Sequence, residues 1–193
     1  MRTTEDTWIL SFYRASEMAG ATFFGRLGRL VPAGPIQRDM TKHFADEAQH
    51  AWYWTECMDQ LGLRPCDIRG AYQDQYLQAA GIPTNIMEAL AITQVFEKRV
   101  VRQYAQHERL GDTHPLVRQT LRRIMEDESW HLAWIRDALR GLTPEYGADT
   151  IAGTLRRYTA ADREVYARVT EEHADCLQHL LAGRATPTPQ RKE

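Results

Sequence analysis

Asp46-Glu47-Ala48-Gln49-His50 and Asp127-Glu128-Ser129-Trp130-His131 are two copies of one short pattern, and they decide how the chain reads. In each copy a Glu and a His stand one helical turn apart, so both side chains leave the same face of a helix. A single Glu precedes each copy at nearly the same distance: Glu17 lies 30 residues before Glu47, and Glu97 lies 31 before Glu128. Two single-Glu helices facing two Glu-x-x-His helices form the ligand set of a dinuclear carboxylate site inside a four-helix bundle. With 14 Glu and 7 His in 193 residues, chance alone yields about 0.5 Glu-x-x-His matches. Two matches, both preceded by Asp and both trailing a Glu at similar spacing, set metal binding above the alternative of ordinary solvated helix charges.

The pattern is helical throughout, and the fold class is all-α. Trp8, Phe12, Ala15, Ala19, Phe23 and Leu27 recur at three- and four-residue steps and predict a first helix from about Glu5 to Leu30. Val31-Pro32-Ala33-Gly34-Pro35 breaks it. Pro35 suits the first position of a second helix, which Gly62 stops after Leu61. Residues 62–83, punctuated by Pro65, Gly70, Gly81 and Pro83, are too long for a simple antiparallel link and predict a crossover spanning the bundle, with a short helix at 71–79. Thr84 caps a third helix ending near Gly111. Asp112-Thr113-His114-Pro115 restarts the chain into a fourth helix that runs to Gly141. A fifth covers 149–182, with a recapping break at Thr159-x-x-Asp162. The organisation is one helical domain over 1–183 and a charged, Pro-containing tail over 184–193 that reads as disordered.

A net charge of −2 and a pI near 6.4 give no general attraction to nucleic acid or anionic membrane, and no apolar run reaches the length of a membrane span. Cys57, Cys66 and Cys176 form no Cys-x-x-Cys pair, and an N-terminus carrying Glu5 and Asp6 has no signal-peptide core. These features predict a cytoplasmic protein with free thiols.

The acidic residues fall on faces that are otherwise largely apolar. Glu47 and His50 share a face with Met40, His43, Trp54 and Met58; Glu128 and His131 share one with Leu121, Ile124 and Ile135. Glu17 stands with Leu10, Tyr13, Ala21 and Phe24, and Glu97 with Leu90, Thr93, Gln94, Val101 and Tyr104. Four carboxylates in one core repel and are driven to protonate unless cations compensate them. Carboxylate mixed with imidazole suits Fe, Mn or Co better than an all-oxygen Mg or Ca site or a Cys-rich structural Zn site. Glu47 and Glu128 are the bridging candidates for two metals ~3.5–4 Å apart. Glu17 and Glu97 are then terminal ligands, and His50 and His131 bind one metal each. Asp46 and Asp127 are placed to take the far N–H of the histidines crosswise, Asp46 with His131 and Asp127 with His50.

The pattern Glu17 … Glu47-x-x-His50 … Glu97 … Glu128-x-x-His131 resembles the ferritin-like superfamily of di-iron carboxylate proteins, which includes bacterioferritins, rubrerythrins and di-iron oxygenases. The resemblance covers about residues 5 to 140. It implies a ferritin-like four-helix bundle with a long crossover between its second and third helices, to which this chain adds a C-terminal helix. It also implies a cofactor of two Fe ions (Fe/Fe, with Fe/Mn or Mn/Mn as variants). The motif is specific for fold and metal site and poorly specific for the reaction, because the same ligands serve storage, peroxide reduction and oxygen activation.

Other residues carry two readings each. Tyr104, two turns after Glu97, either bonds a ligand or carries an electron, as an aromatic hydroxyl near this place can in the proteins it resembles, or is a core tyrosine; Tyr13 shares the Glu17 face, and Phe24 occupies the position matching Tyr104. His43 is an extra ligand or pocket base, or a satisfied histidine. Thr93 and Gln94 either position bound oxygen species or pack with a local hydrogen bond. Gly20 and Ala21 either leave a cavity or permit close packing. Trp52, Trp54, Trp130 and Trp134 support electron transfer or fill space, and Cys57 reads as a small core hydrophobe. Glu108 is placed on an exposed face, and Ile9, Trp52 and Val100 are candidates for a homodimer interface.

The expected function is a dinuclear non-haem iron oxidoreductase, an oxygenase or oxidase that activates O2 or peroxide to oxidise a small organic substrate. Its expected partners are that substrate and an external electron-donor protein, since the chain has no rubredoxin-type Cys pairs; no nucleic acid or membrane is expected. The alternatives are a ferroxidase or iron-storage protein, a rubrerythrin-like peroxidase, and a non-catalytic metal-binding module.

Overall fold

A computed structural model of the chain describes residues 3–68 and 72–177. The expected tail at 184–193, Gly70, and the part of the fifth helix beyond 177 lie outside the described residues. Among the described residues every regular element is a helix: α1 (Thr3–Leu27), α2 (Pro35–Gln60), α3 (Tyr72–Ala80), α4 (Ile86–Glu108), α5 (Pro115–Gly141), the single turn α6 (Thr143–Tyr146) and α7 (Ala148–Glu172). None of these helices is long and apolar enough to cross a membrane.

Local chemistry sets the boundaries. Pro35 opens α2, where its missing N–H costs nothing and its fixed φ already suits a helix. At the other end Gly62 takes φ +67°, its N–H bonds Asp59 O and the Leu63 N–H reaches back to Met58 O. That pair of bonds is a Schellman stop, which needs the left-handed conformation that glycine adopts without penalty. The cap of α4 falls one residue later than expected, on Asn85: its side chain accepts from the Glu88 N–H at 2.9 Å. The Glu88 carboxylate returns to the Thr84 N–H at 2.9 Å and hydroxyl at 2.8 Å. Asn85 wins because its amide oxygen reaches the third helical N–H while Thr84 is engaged by Glu88.

The expected break at Thr159 is absent, and α7 runs unbroken through it. Thr159 spends its hydroxyl on Leu155 O, 2.7 Å away. Asp162, which would have had to recap the chain, is 4 % exposed and is held by Arg99 of α4 and the Tyr72 hydroxyl of α3. A buried carboxylate held by two partners has no reason to leave them for a surface cap. This junction, with Tyr76 donating to Tyr158 O at 3.0 Å, ties α3 and α7 to α4.

α1 packs along α2, α4 along α5, and the two hairpins meet through α2 and α5. α1 and α4 approach far less closely along their backbones. Large side chains bridge the gap: Tyr13 lies edge-on to Tyr104 with ring centroids 4.8 Å apart, and the Tyr13 hydroxyl is 3.2 Å from His107 Nδ1. Sequence gave no hint of the Tyr13–His107 pair, because its members are 94 residues apart. The deepest face of α1 is Ile9, Leu10, Tyr13, Glu17 and Phe24, while Trp8, Ala15, Ala19, Phe23 and Leu27 of the expected stripe are only half buried. Ile9 is wholly buried and is withdrawn as an interface residue; Val100 packs on the core, and Trp52 remains 54 % exposed. Glu108 is half buried rather than exposed, because Arg122 of α5 holds it at 2.8 Å.

Candidate metal centre

The six residues of the repeated pattern converge. Glu17, Glu47, His50, Glu97, Glu128 and His131 are all buried, none more than 5 % exposed, although they come from four helices. Each sits on the inward stripe of its helix, where the next apolar residues are one turn away. Their ligating atoms gather into two groups that could each hold a metal ion. One group is Glu17, Glu47, His50 and Glu128; the other is His43, Glu47, Glu97 and His131.

Glu47 belongs to both groups. Glu128 also spans them, with Oε1 3.5 Å from His50 Nδ1 and Oε2 3.2 Å from His131 Nδ1. Glu17 touches only the first group, through Oε2 at 3.7 Å from His50 Nδ1. Two carboxylates shared and two unshared is the arrangement that bridging and terminal ligands require.

Both histidines turn Nδ1 inward and Nε2 outward. His50 Nε2 meets Asp127 Oδ2 and His131 Nε2 meets Asp46 Oδ2, each at 3.2 Å. This is the crosswise pairing expected from the doubled Asp. An outer carboxylate that takes the Nε2 proton keeps the inner Nδ1 lone pair available and fixes the ring's orientation.

Two buried atoms of this cluster lack any hydrogen-bond partner: His50 Nδ1 and Glu128 Oε1. Buried polar atoms are seldom left so, because each loses its hydration without return. Both point into the first group, and a metal ion there would satisfy both. The donors present, carboxylate oxygens and imidazole nitrogens, thus fit a metal ion that takes mixed oxygen and nitrogen ligands.

His43 is the residue whose role sequence left most open. Its ring stacks between Phe24, at 3.9 Å, and His131, at 3.6 Å. The Trp134 Nε1–H donates to its Nδ1 at 3.1 Å. Nδ1 is therefore the unprotonated nitrogen, and the ring proton of neutral His43 lies on Nε2. Nε2 faces Glu47 Oε1 at 3.1 Å and Glu97 Oε1 at 3.3 Å. In this tautomer His43 is a hydrogen-bond donor to two of the cluster's carboxylates, and it has no lone pair to offer a metal. Trp134 thus does more than fill space.

Tyr104 donates to Glu17 Oε1 and accepts from the Trp54 Nε1–H at 3.1 Å. It fixes the Glu17 carboxylate and keeps its own proton, its pKa raised by burial and by the Glu17 charge. Thr93 spends its hydroxyl on Ala89 O at 2.8 Å, so it contributes a wall rather than a free donor. Gln94 is buried with Oε1 unpartnered, and nothing in the structure explains it. Cys57 is a buried free thiol in the core.

Burial, followed by the charges of Glu97, Glu17 and Glu128, holds Glu47 well above the ordinary carboxylate range. Burial and then Glu97 raise Glu128 to about 8. Glu97 goes the other way, to about 2, because His43 outweighs its burial. Burial disfavours charge on His50 and His131, yet their carboxylate neighbours outweigh it and raise them to about 9 and about 10. Burial lowers His43 to about 4. Without metal, the cluster therefore holds protons at neutral pH in the places where cations would sit.

Gly20 explains how Glu47 reaches the centre. A Cβ at position 20 would collide with Glu47 Oε2 and stand 3.1 Å from its Cδ. Gly20→Ala should stabilise α1 by about 1 kcal/mol through helix propensity. The same change turns the Glu47 carboxylate aside, and metal affinity should fall about tenfold or more. Calorimetry of the metal-free variant and an Mn(II) titration check both halves; unchanged Mn(II) affinity would show that Glu47 is not needed in this position.

A cavity of about 410 Å³ opens between α1, α3 and α4 and ends on Glu47 and Glu97. Gly20, Phe23, Phe24, Leu77, Ile92 and Phe96 line it. Two hollows of about 540 and 590 Å³ elsewhere touch none of the cluster's carboxylates.

No protein-family model matches the chain, and no curated protein or solved structure matches it.

Proposed function

We propose that the protein is a ferritin-like di-iron carboxylate oxidoreductase that uses O2 or peroxide to oxidise a small organic substrate. The observation that carries this reading is the apolar cavity ending on Glu47 and Glu97. A pocket with a few convergent polar groups at its floor is the form that small-molecule sites take. A storage protein needs a route for hydrated ions, and apolar walls do not favour one.

Glu17, Glu47, His50, Glu97, Glu128 and His131 would hold the metals, with Asp46 and Asp127 orienting the two histidines. Two reduced irons, when bound there, supply two electrons to O2 or peroxide. The chain's own part is positional. Tyr104 and Trp54 fix Glu17. His43, locked by Trp134, holds a proton on Nε2 against Glu47 and Glu97. Phe23, Phe24 and Phe96 make the cavity side apolar. A separate electron donor and a cytoplasmic location belong to the same reading.

The test is an iron count. Metal-free protein is loaded anaerobically with excess Fe(II), O2 is added, and the iron oxidised per chain is measured. The proposal expects oxidation to stop at two per chain without reductant. Continued oxidation with accumulating mineral would replace it by a ferroxidase.

A further inference from the structure

The cavity over the cluster has a polarity of its own. Its inner end is the Glu47 and Glu97 carboxylates, its walls are apolar, and its lining includes Thr22 and Arg26, both exposed. Among the described residues Glu47 and Glu97 are the only acidic members of that lining, and no acidic side chain pairs with Arg26. Arg26 follows Gly20, the residue beneath Glu47, by six positions of α1, about 9 Å along the helix axis at a rise of ~1.5 Å per residue. An apolar lining, with a guanidinium at its exposed edge that no described acidic side chain holds, matches a molecule with an alkyl chain and an anionic end.

We propose that this cavity binds a medium-chain alkyl carboxylate, its chain directed toward Glu47 and Glu97 and its head group on Arg26. The assignment rests on the reading of the cavity as the substrate's site, and it turns the alkyl chain rather than the head group toward the cluster. A guanidinium takes a carboxylate through two parallel N–H bonds, whereas an alkylammonium head would meet like charge. The apolar walls take the methylene chain out of water, which supplies most of the affinity.

Calorimetric titration of the Mn(II)-loaded chain with sodium decanoate, decylamine and 1-decanol tests it, using the parent, Arg26→Gln and Thr22→Trp. Position 26 is exposed, so Arg26→Gln should fold normally. Decanoate is expected to bind the parent more tightly than decylamine or decanol. Arg26→Gln should weaken decanoate about fivefold, the upper range for a solvent-reached ion pair, and leave decanol unchanged. Thr22→Trp, which narrows the mouth, should weaken decanoate and decanol alike. Decanoate affinity that is indifferent to Arg26→Gln, or equal binding of decanoate and decanol by the parent, overturns the proposal. The iron count after O2, run on metal-free protein from the same batch, separates the two readings. A count of two with no head-group preference removes only the alkyl carboxylate, while mineral growth removes the oxidoreductase reading.

Discussion

Glu47→Gln is expected to abolish paired-metal binding while leaving the metal-free protein at least as heat-stable as its parent. The two effects have one cause. Glu47 is 5 % exposed and faces the charges of Glu97, Glu17 and Glu128. In the metal-free chain that carboxyl is a liability, raised far above its ordinary pKa by burial and like charge. A neutral amide of the same shape removes the liability and keeps the Nε2–H of His43 partnered. In the metal-bound chain Glu47 is the residue common to both candidate ion positions, and Gln offers a metal one weak carbonyl oxygen. Fe(II) or Mn(II) titration should give at most one equivalent per chain in the variant, against two in the parent. Glu164→Ala is the control, since that side chain is 73 % exposed and far weaker in its contacts. Glu108 is unsuited to that use, because it bridges α4 to α5 through Arg122. Two equivalents retained by Glu47→Gln would remove it from the bridging role.

Chelation is expected to lower the melting temperature by about 5–15 °C at pH 8, the range for ligand held at ~100–1,000 times its Kd in a domain of this size. The effect should shrink toward pH 5.5. In the metal-free chain His50 and His131 are raised from 6.5 to about 9 and about 10, and Glu128 from 4.5 to about 8. Each binds its proton more tightly folded than unfolded. Its contribution is whole below the unfolded value and is lost as pH rises through the folded one. Metal-free stability therefore falls from about pH 6.5 upward, with Glu128 and Glu47 beginning the fall lower. Three groups act oppositely. Asp46 and Glu97 are lowered to about 2 and His43 to about 4, so their contributions are lost as pH drops. The metal-free optimum lies in mildly acid solution. Metals must displace the protons on His50, His131, Glu47 and Glu128, so their affinity rises with pH. Melting curves with and without chelator at pH 5.5 and 8 check this. Equal differences at both pH values would mean that metal binding releases no protons from this cluster.

What could be read from sequence followed from helical periodicity. Placing Glu47 and His50 on the Met40–Trp54–Met58 stripe sufficed to bury them, because a helix offers one inward face and its apolar residues mark it. The outer Asp46 and Asp127 were legible for a similar reason: each stands beside its Glu, one step around the helix. Pairwise geometry between distant helices was not legible. Nothing in sequence orients the Trp134 indole toward His43, although that bond decides which His43 nitrogen carries the proton. Asp162 was misread as a cap because its partners, Tyr72 and Arg99, lie 90 and 63 residues away. The cavity depends on how far α1 stands from α4, which a periodic pattern does not encode. The smallness of Gly20 admits either a cavity or close packing, and the fold uses it for both, in the cavity lining and against the Glu47 carboxylate.

The paired metal centre is tested most directly by diffraction from crystals of the anaerobically Mn(II)-loaded protein, using anomalous scattering to locate the metal. Two peaks per chain are expected, one among Glu17, Glu47, His50 and Glu128 and one among Glu47, Glu97, Glu128 and His131, with His43 outside bonding distance of both. A single peak, none within the cluster, or a peak bonded to His43 Nε2 in place of Glu128 would contradict the account.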